Sequence, residues 1–134
     1  AIVPTYGSAY AAGADLYACE GGEVTIDAGE TKLIHTGIAM EIPEGLVGLI
    51  YARSGLACKR GLAPANKVGV VDADYRGEIG VILINLSNEP FVVNHGERIC
   101  QMVIAKHEQP ELLKVEILGE TERGAGGFGH SGVK

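Results

Sequence analysis

The chain has 134 residues, enough for one domain that buries roughly two-thirds of the surface its unfolded chain exposes, so no disulfide or metal staple is required. Its net charge of −6 argues against a nucleic-acid partner, which wants a basic face, and no apolar run is long enough to span a bilayer, so a membrane partner is not expected either. A hydrophobic share of 46% suffices for a core, and 20 glycines among many short β-branched runs point to an all-β domain.

Ala11–Ala18 (AAGADLYA) opens the ordered part. Propensity alone would allow a helix there, but Gly13 in its middle costs about 1 kcal/mol, so the stretch is not read as one. Val24 and Ile26 alternate with Thr25 and Asp27, the period of a half-buried strand. Ala28-Gly29-Glu30 turns the chain. Leu33-Ile34 and Ile38–Ile42 are expected as two strands separated by Gly37. Pro43-Glu44-Gly45 is a turn, with Pro setting φ and Gly closing. Leu46–Tyr51 is nearly continuously apolar and predicts a strand covered on both faces.

Ser54 is a candidate N-cap and Gly61 a C-terminal stop, predicting one or two helical turns between them, the one helix expected. Asn66–Leu83 then reads as a β-hairpin. An apolar run (Val68, Val70, Val71) ends at Asp72, a polar turn spans Ala73–Gly77, and a second run covers Val81–Ile84. Phe91–Val93, Ile99–Ala105 and Leu112–Ile117 complete about ten short strands at spacings near 8–12 residues, the signature of a sandwich or barrel. From Gly119 the character changes. Arg123–Gly132 is too rich in glycine, which loses the most entropy on ordering, to form a stable element. The organisation expected is a β domain over 1–118 and a flexible arm over 119–134.

Cys19, Cys58 and Cys100 are odd in number and lack metal-ligand spacing. They read as buried or semi-buried thiols in a reducing compartment, such as the cytoplasm. The four histidines are scattered, and none is spaced for zinc.

Three stretches carry chemistry. Asp72 ends an apolar run, where a half-buried carboxylate needs partners, and it is read as the working base of a binding slot in the hairpin. Asp74 is read as a turn residue. Ala52-Arg53-Ser54-Gly55 lies at a strand-to-helix junction, where backbone N–H groups, a guanidinium and a hydroxyl favour an anion; the alternative is a plain cap beside a surface Arg. Gln101 is polar inside an apolar run, and either crosses to a backbone partner or faces a site.

In the arm, Gly124, Gly126 and Gly129 match G-x-G-x-x-G. No strand–helix context surrounds them, so the dinucleotide reading fails. Their N–H groups can still converge on an anion, with Arg123 and Ser131 adding donors. Phe128 is poorly used there unless it stacks on something. The alternative is a mobile, solvated terminus.

Taken together, these stretches resemble the homotrimeric deoxyuridine triphosphatase (dUTP diphosphatase) family. GADLYA at Gly13–Ala18 is similar to its first motif, and ARSGLA at Ala52–Ala57 to its second. GVVDADYRGEIGVIL at Gly69–Leu83 resembles the third, GERICQMV at Gly96–Val103 the fourth, and RGAGGFGHSG at Arg123–Gly132 the fifth. Five motifs in order, over almost the whole chain, form a specific pattern.

The resemblance implies an all-β, distorted jelly-roll or barrel-like sandwich with one short helix, three copies of which share three active sites. It implies hydrolysis of dUTP to dUMP and pyrophosphate, which keeps uracil out of DNA and supplies dUMP for thymidylate synthesis. The uracil edge would bond backbone groups of Gly69, Val70, Val71 and Gly80 and the Asn66 amide, a fixed pattern that rejects cytosine. Tyr75 would lie under the deoxyribose and exclude a 2′-hydroxyl. Asp72 would hold the 3′-hydroxyl and deprotonate the attacking water. Arg53, Ser54, Gly55 and Gln101 match phosphate contacts from the neighbouring subunit. In the arm, Phe128 would stack on uracil and Arg123 would meet the γ-phosphate, with Gly129 and Ser131 beside them. Mg²⁺ would ride on the triphosphate, with Asp15 reaching it through water.

Three positions depart from the family pattern: Ala52 in place of Pro, His130-Ser131 in place of Ser-Thr, and Cys100 in place of Ala. The alternatives are a dCTP deaminase-type enzyme of related fold and a nucleotide-sensing interaction module.

Overall fold

The computed structural model describes residues 1–133. Ten strands and one helix follow in order: β1 (Thr5–Tyr6), β2 (Ala14–Tyr17), β3 (Val24–Ile26), β4 (Thr31–Ala39), β5 (Leu46–Tyr51), α1 (Ser54–Arg60), β6 (Leu62–Pro64), β7 (Gly69–Val71), β8 (Glu78–Asn85), β9 (Phe91–Val93) and β10 (Arg98–Lys106). They form a five-stranded sheet in the order β1-β2-β10-β5-β7, a three-stranded sheet β4-β8-β6 and a two-stranded ribbon β3-β9. This is the all-β sandwich with one short helix that the sequence predicts.

Alternation explains the layers. Along β8, Ile79, Val81, Leu83 and Asn85 are buried, while the residues between them are exposed or half-buried. One face therefore meets the core of Leu16, Ile26, Ile34, Leu62, Val93 and Met102. Asn85 is fully buried yet satisfied. Its amide donates to the carbonyls of Ile26 (2.9 Å) and Glu89 (2.7 Å), and its oxygen accepts from the Ser87 N–H and hydroxyl. Those bonds tie the ribbon to the three-stranded sheet, and a buried amide without them would cost about 1–3 kcal/mol.

Several expectations are corrected. Gly37 does not separate two strands; it lies inside β4 at φ +67°, where the register with β8 shifts between His35 and Ala39. Such a bulge needs the left-handed conformation that glycine adopts freely. β5 is not covered on both faces: Gly48 and Ile50 are buried, whereas Val47 and Leu49 are half-buried and Tyr51 is 37% exposed. The N-cap of α1 is Arg53 rather than Ser54, without a side-chain cap bond, while Gly61 ends the helix at φ +64° as expected. Ala14–Tyr17, not read as a helix because of Gly13, is strand β2.

Leu112–Ile117 forms no strand. Its alternation is strand-like, but no strand among the described residues pairs with it, and a lone strand leaves its backbone groups unpaired. The last strand ends at Lys106. Of the thiols, Cys100 is buried and Cys19 half-buried, but Cys58 is exposed on α1. All three are free. No helix among the described residues is long and apolar enough to cross a membrane.

Candidate active site

The hairpin expected over Asn66–Leu83 is instead an opened one. β7 pairs with β5, and β8 pairs with β4 and β6, so the two runs belong to different sheets. On its β6 side, β8 is paired only over Leu83–Asn85, with one further bond from the Ala65 N–H to the Ile82 carbonyl (2.8 Å). The opposite side of β7 carries no strand. Two strand edges therefore border one cavity of about 200 Å³, lined by Asn66, Gly69, Val70, Val71, Asp72, Tyr75, Glu78 and Gly80, with Ile50 and Ile79 as apolar floor. Backbone N–H and C=O groups along such edges can receive the rim of a planar polar ring, as they would receive another strand.

Local chemistry holds the slot open. The Tyr75 N–H bonds the Asp72 carbonyl (3.1 Å), which closes the turn. The Tyr75 hydroxyl donates to the Glu78 carbonyl (2.8 Å), folding the ring over Gly77, where a Cβ would stand 2.5 Å from that hydroxyl. At Gly80 a Cβ would stand 2.6 Å from Leu33 Cδ1. Asn66 opens a tight turn, in which the Val68 N–H reaches the Asn66 carbonyl (2.8 Å) and Lys67 is held at φ +67°. A non-glycine residue in that region is uncommon and marks local strain.

Asp72 stands at the rim. Contrary to the half-buried position expected, it is exposed, and among the described residues its carboxylate makes no hydrogen bond or ion pair. Glu78 is a slot residue that sequence reasoning missed, because nothing in its local pattern separates it from a surface acid. Its Oε1 accepts from the Gly37 N–H (2.7 Å), and its Oε2 lies 3.3 Å from His35 Nδ1. The Gly37 N–H is the main reason its carboxyl titrates below the usual range, with His35 adding to it against the cost of desolvation.

The expected phosphate residues gather elsewhere. Arg53 precedes α1, and Ser54 and Gly55 are exposed in its first turn. Arg53 lines a second cleft with Tyr17, Arg60 and Arg98. Gln101 resolves to the first of its two alternatives: its Nε2 donates to the Ala52 carbonyl (2.9 Å), and its Oε1 fills the space a Cβ on Gly13 would need, 2.7 Å away. Neither Gln101 nor Arg53, Ser54 or Gly55 lines the Asp72 slot. Asp15 is buried, and both carboxylate oxygens face guanidinium groups, Arg53 Nε at 3.2 Å and Arg98 Nη1 at 3.3 Å. Burial pushes the neighbouring Cys100 thiol up to about 12, with Arg53 pulling the other way. That thiol is therefore inert at neutral pH.

In the arm, Arg123, Phe128, Gly129 and Ser131 are exposed, and none lines the slot. Arg123 Nε donates to the Gly126 carbonyl (2.7 Å), and successive turns bond Gly126 to Arg123, His130 to Gly127 and Gly132 to Gly129. Among the described residues, no group of three or more His, Cys, Asp or Glu side chains is arranged to hold a metal ion.

A β-sandwich whose two sheets part to make a strand-edge slot, with a carboxylate at the slot's rim and an arginine cleft apart from it, defines the class. Comparison with known proteins gives the family. The dUTPase family model matches residues 1–132. The deoxyuridine 5′-triphosphate nucleotidohydrolase of Syntrophotalea carbinolica is 51% identical over 132 residues, covering 98% of this chain and 90% of that protein.

Among solved structures, a variant of the Staphylococcus bacteriophage 80alpha dUTPase with dUpNHpp superposes with a TM-score of 0.89 at 31% identity, over 99% of this chain and 93% of that one. A dUTPase variant from phage phi11 of S. aureus, described with a structural Mg(II) ion, gives 0.81 at 27% identity, over 90% and 93%. The Streptococcus mutans dUTPase gives 0.76 at 32% identity, over 81% and 88%. The chain belongs to the dUTPase family.

Proposed function

We propose that this protein hydrolyses dUTP to dUMP and pyrophosphate, with the strand-edge slot taking the nucleoside and Asp72 activating water. The observation that carries this reading is the slot itself: unpaired strand edges beside an apolar floor, and an unengaged carboxylate at the rim. Uracil presents acceptor, donor and acceptor along one edge. The backbone groups of Gly69, Val70, Val71 and Gly80 and the Asn66 amide would match them, and the 4-amino group of cytosine would oppose a donor. Tyr75, pinned to its own turn through Glu78, would pack against the deoxyribose and leave no room for a 2′-hydroxyl.

A carboxylate has two accepting oxygens. At Asp72 one would hold the 3′-hydroxyl and the other would take a proton from a water. That water's oxygen attacks the α-phosphorus in line, the bond to the bridging oxygen of the β-phosphate breaks, and pyrophosphate leaves.

Among the described residues no cation lines the slot, which supports a composite site. Arg53, Ser54, Gly55 and Gln101 of a second subunit would meet the phosphates, in a homotrimer whose subunits share their sites. The residues from Gly119 onward would act as the arm, with Phe128 over the uracil and Arg123, Gly129 and Ser131 at the phosphates. His130 and Ala52 depart from the family pattern without touching Asp72. The described residues offer no cage for a metal, so Mg²⁺ would arrive on the triphosphate, where it would neutralise phosphate charge. Three free thiols suit a reducing intracellular compartment.

Pyrophosphate release across dUTP, UTP, dCTP and dTTP with Mg²⁺ tests the reading. Turnover confined to dUTP is expected. Ammonia release from dCTP, or binding of dUTP without turnover, would overturn it in favour of a deaminase or a sensing module.

A further inference from the structure

Four groups, from two strands and the residue that caps α1, converge behind the arginine cleft. Asp15 of β2 stands directly across from Gln101 of β10, and cross-strand partners share a face of the sheet. Arg98 is three residues before Gln101, so in a regular strand it would project from the opposite face. A β-bulge prevents that. The register with β2 shifts between Arg98 and Cys100, and the consecutive residues Ile99 and Cys100 are both buried. The extra residue turns Arg98 onto the face of Asp15 and Gln101, which is the use to which bulges beside functional sites are put.

Two of the contacts there reach Arg53. Asp15 Oδ1 takes its Nε at 3.2 Å, and the Arg98 carbonyl accepts from its Nη1 at 3.3 Å. Arg98 Nη1 in turn occupies the other oxygen of Asp15 at 3.3 Å. Among the described residues, Arg53 Nη2 has no partner. Two guanidinium groups around one carboxylate leave the cluster with a net positive charge. The Asp15 side chain is only 12% exposed, so screening by water is weak there.

We propose that Asp15 and Arg98 are positioning residues that fix the orientation of Arg53, with the bulge at Ile99-Cys100 as the device that brings Arg98 into place. The inference rests on the reading of Arg53 as a phosphate contact. Asp15 aims one edge of the Arg53 fork outward. Arg98 shares the charge of Asp15, so that the carboxylate orients Arg53 without neutralising it toward an incoming polyphosphate.

The test uses the full-length chain with Arg53→Met, Arg98→Met, Asp15→Asn and the double variant R53M/R98M. The readouts are kcat and KM for dUTP, the inhibition constant of dUMP, and Tm. R98M and D15N are expected each to lower kcat/KM for dUTP by about tenfold or more. They are expected to leave dUMP inhibition within about threefold, since dUMP lacks the pyrophosphate end. R53M/R98M should match R53M within about twofold, because Arg98 acts through Arg53.

Additive losses in the double variant, or equal losses for dUTP and dUMP, would overturn the inference. R53M impaired while R98M is not would overturn it alone. R53M unimpaired would overturn the reading of Arg53 as well. Should R98M melt early, Arg98→Lys, which keeps the charge but not the fork, carries the same comparison.

Discussion

The slot and the arm both carry residues assigned to the nucleotide, and the fold treats them in opposite ways. Around the slot, the residues are fixed by bonds that come from elsewhere in the chain: β5 against β7, β4 against β8, and Gly37 against Glu78. Among the described residues of the arm, every hydrogen bond is made within a few residues, as from the Gly124 N–H to the Thr121 carbonyl or the His130 N–H to the Gly127 carbonyl. Phe128 has no neighbour to cover its ring. A site made of both parts separates recognition, which is built in advance, from closure, whose ordering entropy must be recovered from contacts with the ligand.

The comparison is broken most severely at the slot's rim. Asp72→Asn is expected to reduce kcat by about 10³-fold, within the range for a lost general base, while nucleotide binding is kept. Pyrophosphate release, measured beside binding of a non-hydrolysable dUTP analogue, checks it, and near-normal turnover would remove Asp72 from the mechanism. Deleting residues 122–134 should cost about 10–100-fold in kcat/KM, since charge-assisted bonds of about 1.5–3 kcal/mol are lost. Tm should hardly move, because among the described residues the arm makes no hydrogen bond to the core. A fall in Tm comparable to a core mutation would mean that the arm is structural.

Gly80→Ala drives a methyl group into Leu33 Cδ1. Leu33 is 53% exposed, so the end of its side chain can swing toward solvent; the cost should stay at about 0.5 kcal/mol, and Leu33→Ala in the same chain should return it. Chemical denaturation of the two single variants and the double variant measures that coupling.

The smallest effect concerns pH. The Glu78 carboxyl titrates below its ordinary value of 4.5, chiefly because it accepts the Gly37 N–H. A depressed folded-state value means that its contribution to stability is fully present above 4.5 and is lost as pH falls through the lower folded value. Glu78→Gln should therefore flatten the acid limb of a Tm-versus-pH curve and leave the neutral region nearly unchanged. An unaltered acid limb would show that the bond to Gly37 carries no weight.

Local pattern made much of this legible. The alternation in Val24–Ile26, the turn at Pro43–Gly45 and the stop at Gly61 were each readable because their cause lies within a few residues. Long-range pairing was not. Leu112–Ile117 has the alternation of a strand but no partner strand among the described residues, and Asn66–Leu83 has the pattern of a hairpin although its runs join different sheets. The same limit hid the cluster at Asp15. Nothing local to Arg98 reports that it will face a carboxylate 83 residues away. The bulge that turns it is visible only as two buried residues in succession. Asp72 and Arg53 stood out by their local surroundings and by resemblance to family motifs, but nothing local told that they would line separate clefts of the subunit.

The walls of the slot belong to two different sheets, with Ile50 contributed by one and Ile79 by the other. Its width is therefore a gauge of how the sheets pack. A methylene lost from the interior would alter the spacing between those walls. If the slot takes the base as proposed, discrimination between bases and resistance to heat would draw on the same buried side chains, and selection on either one would constrain the other.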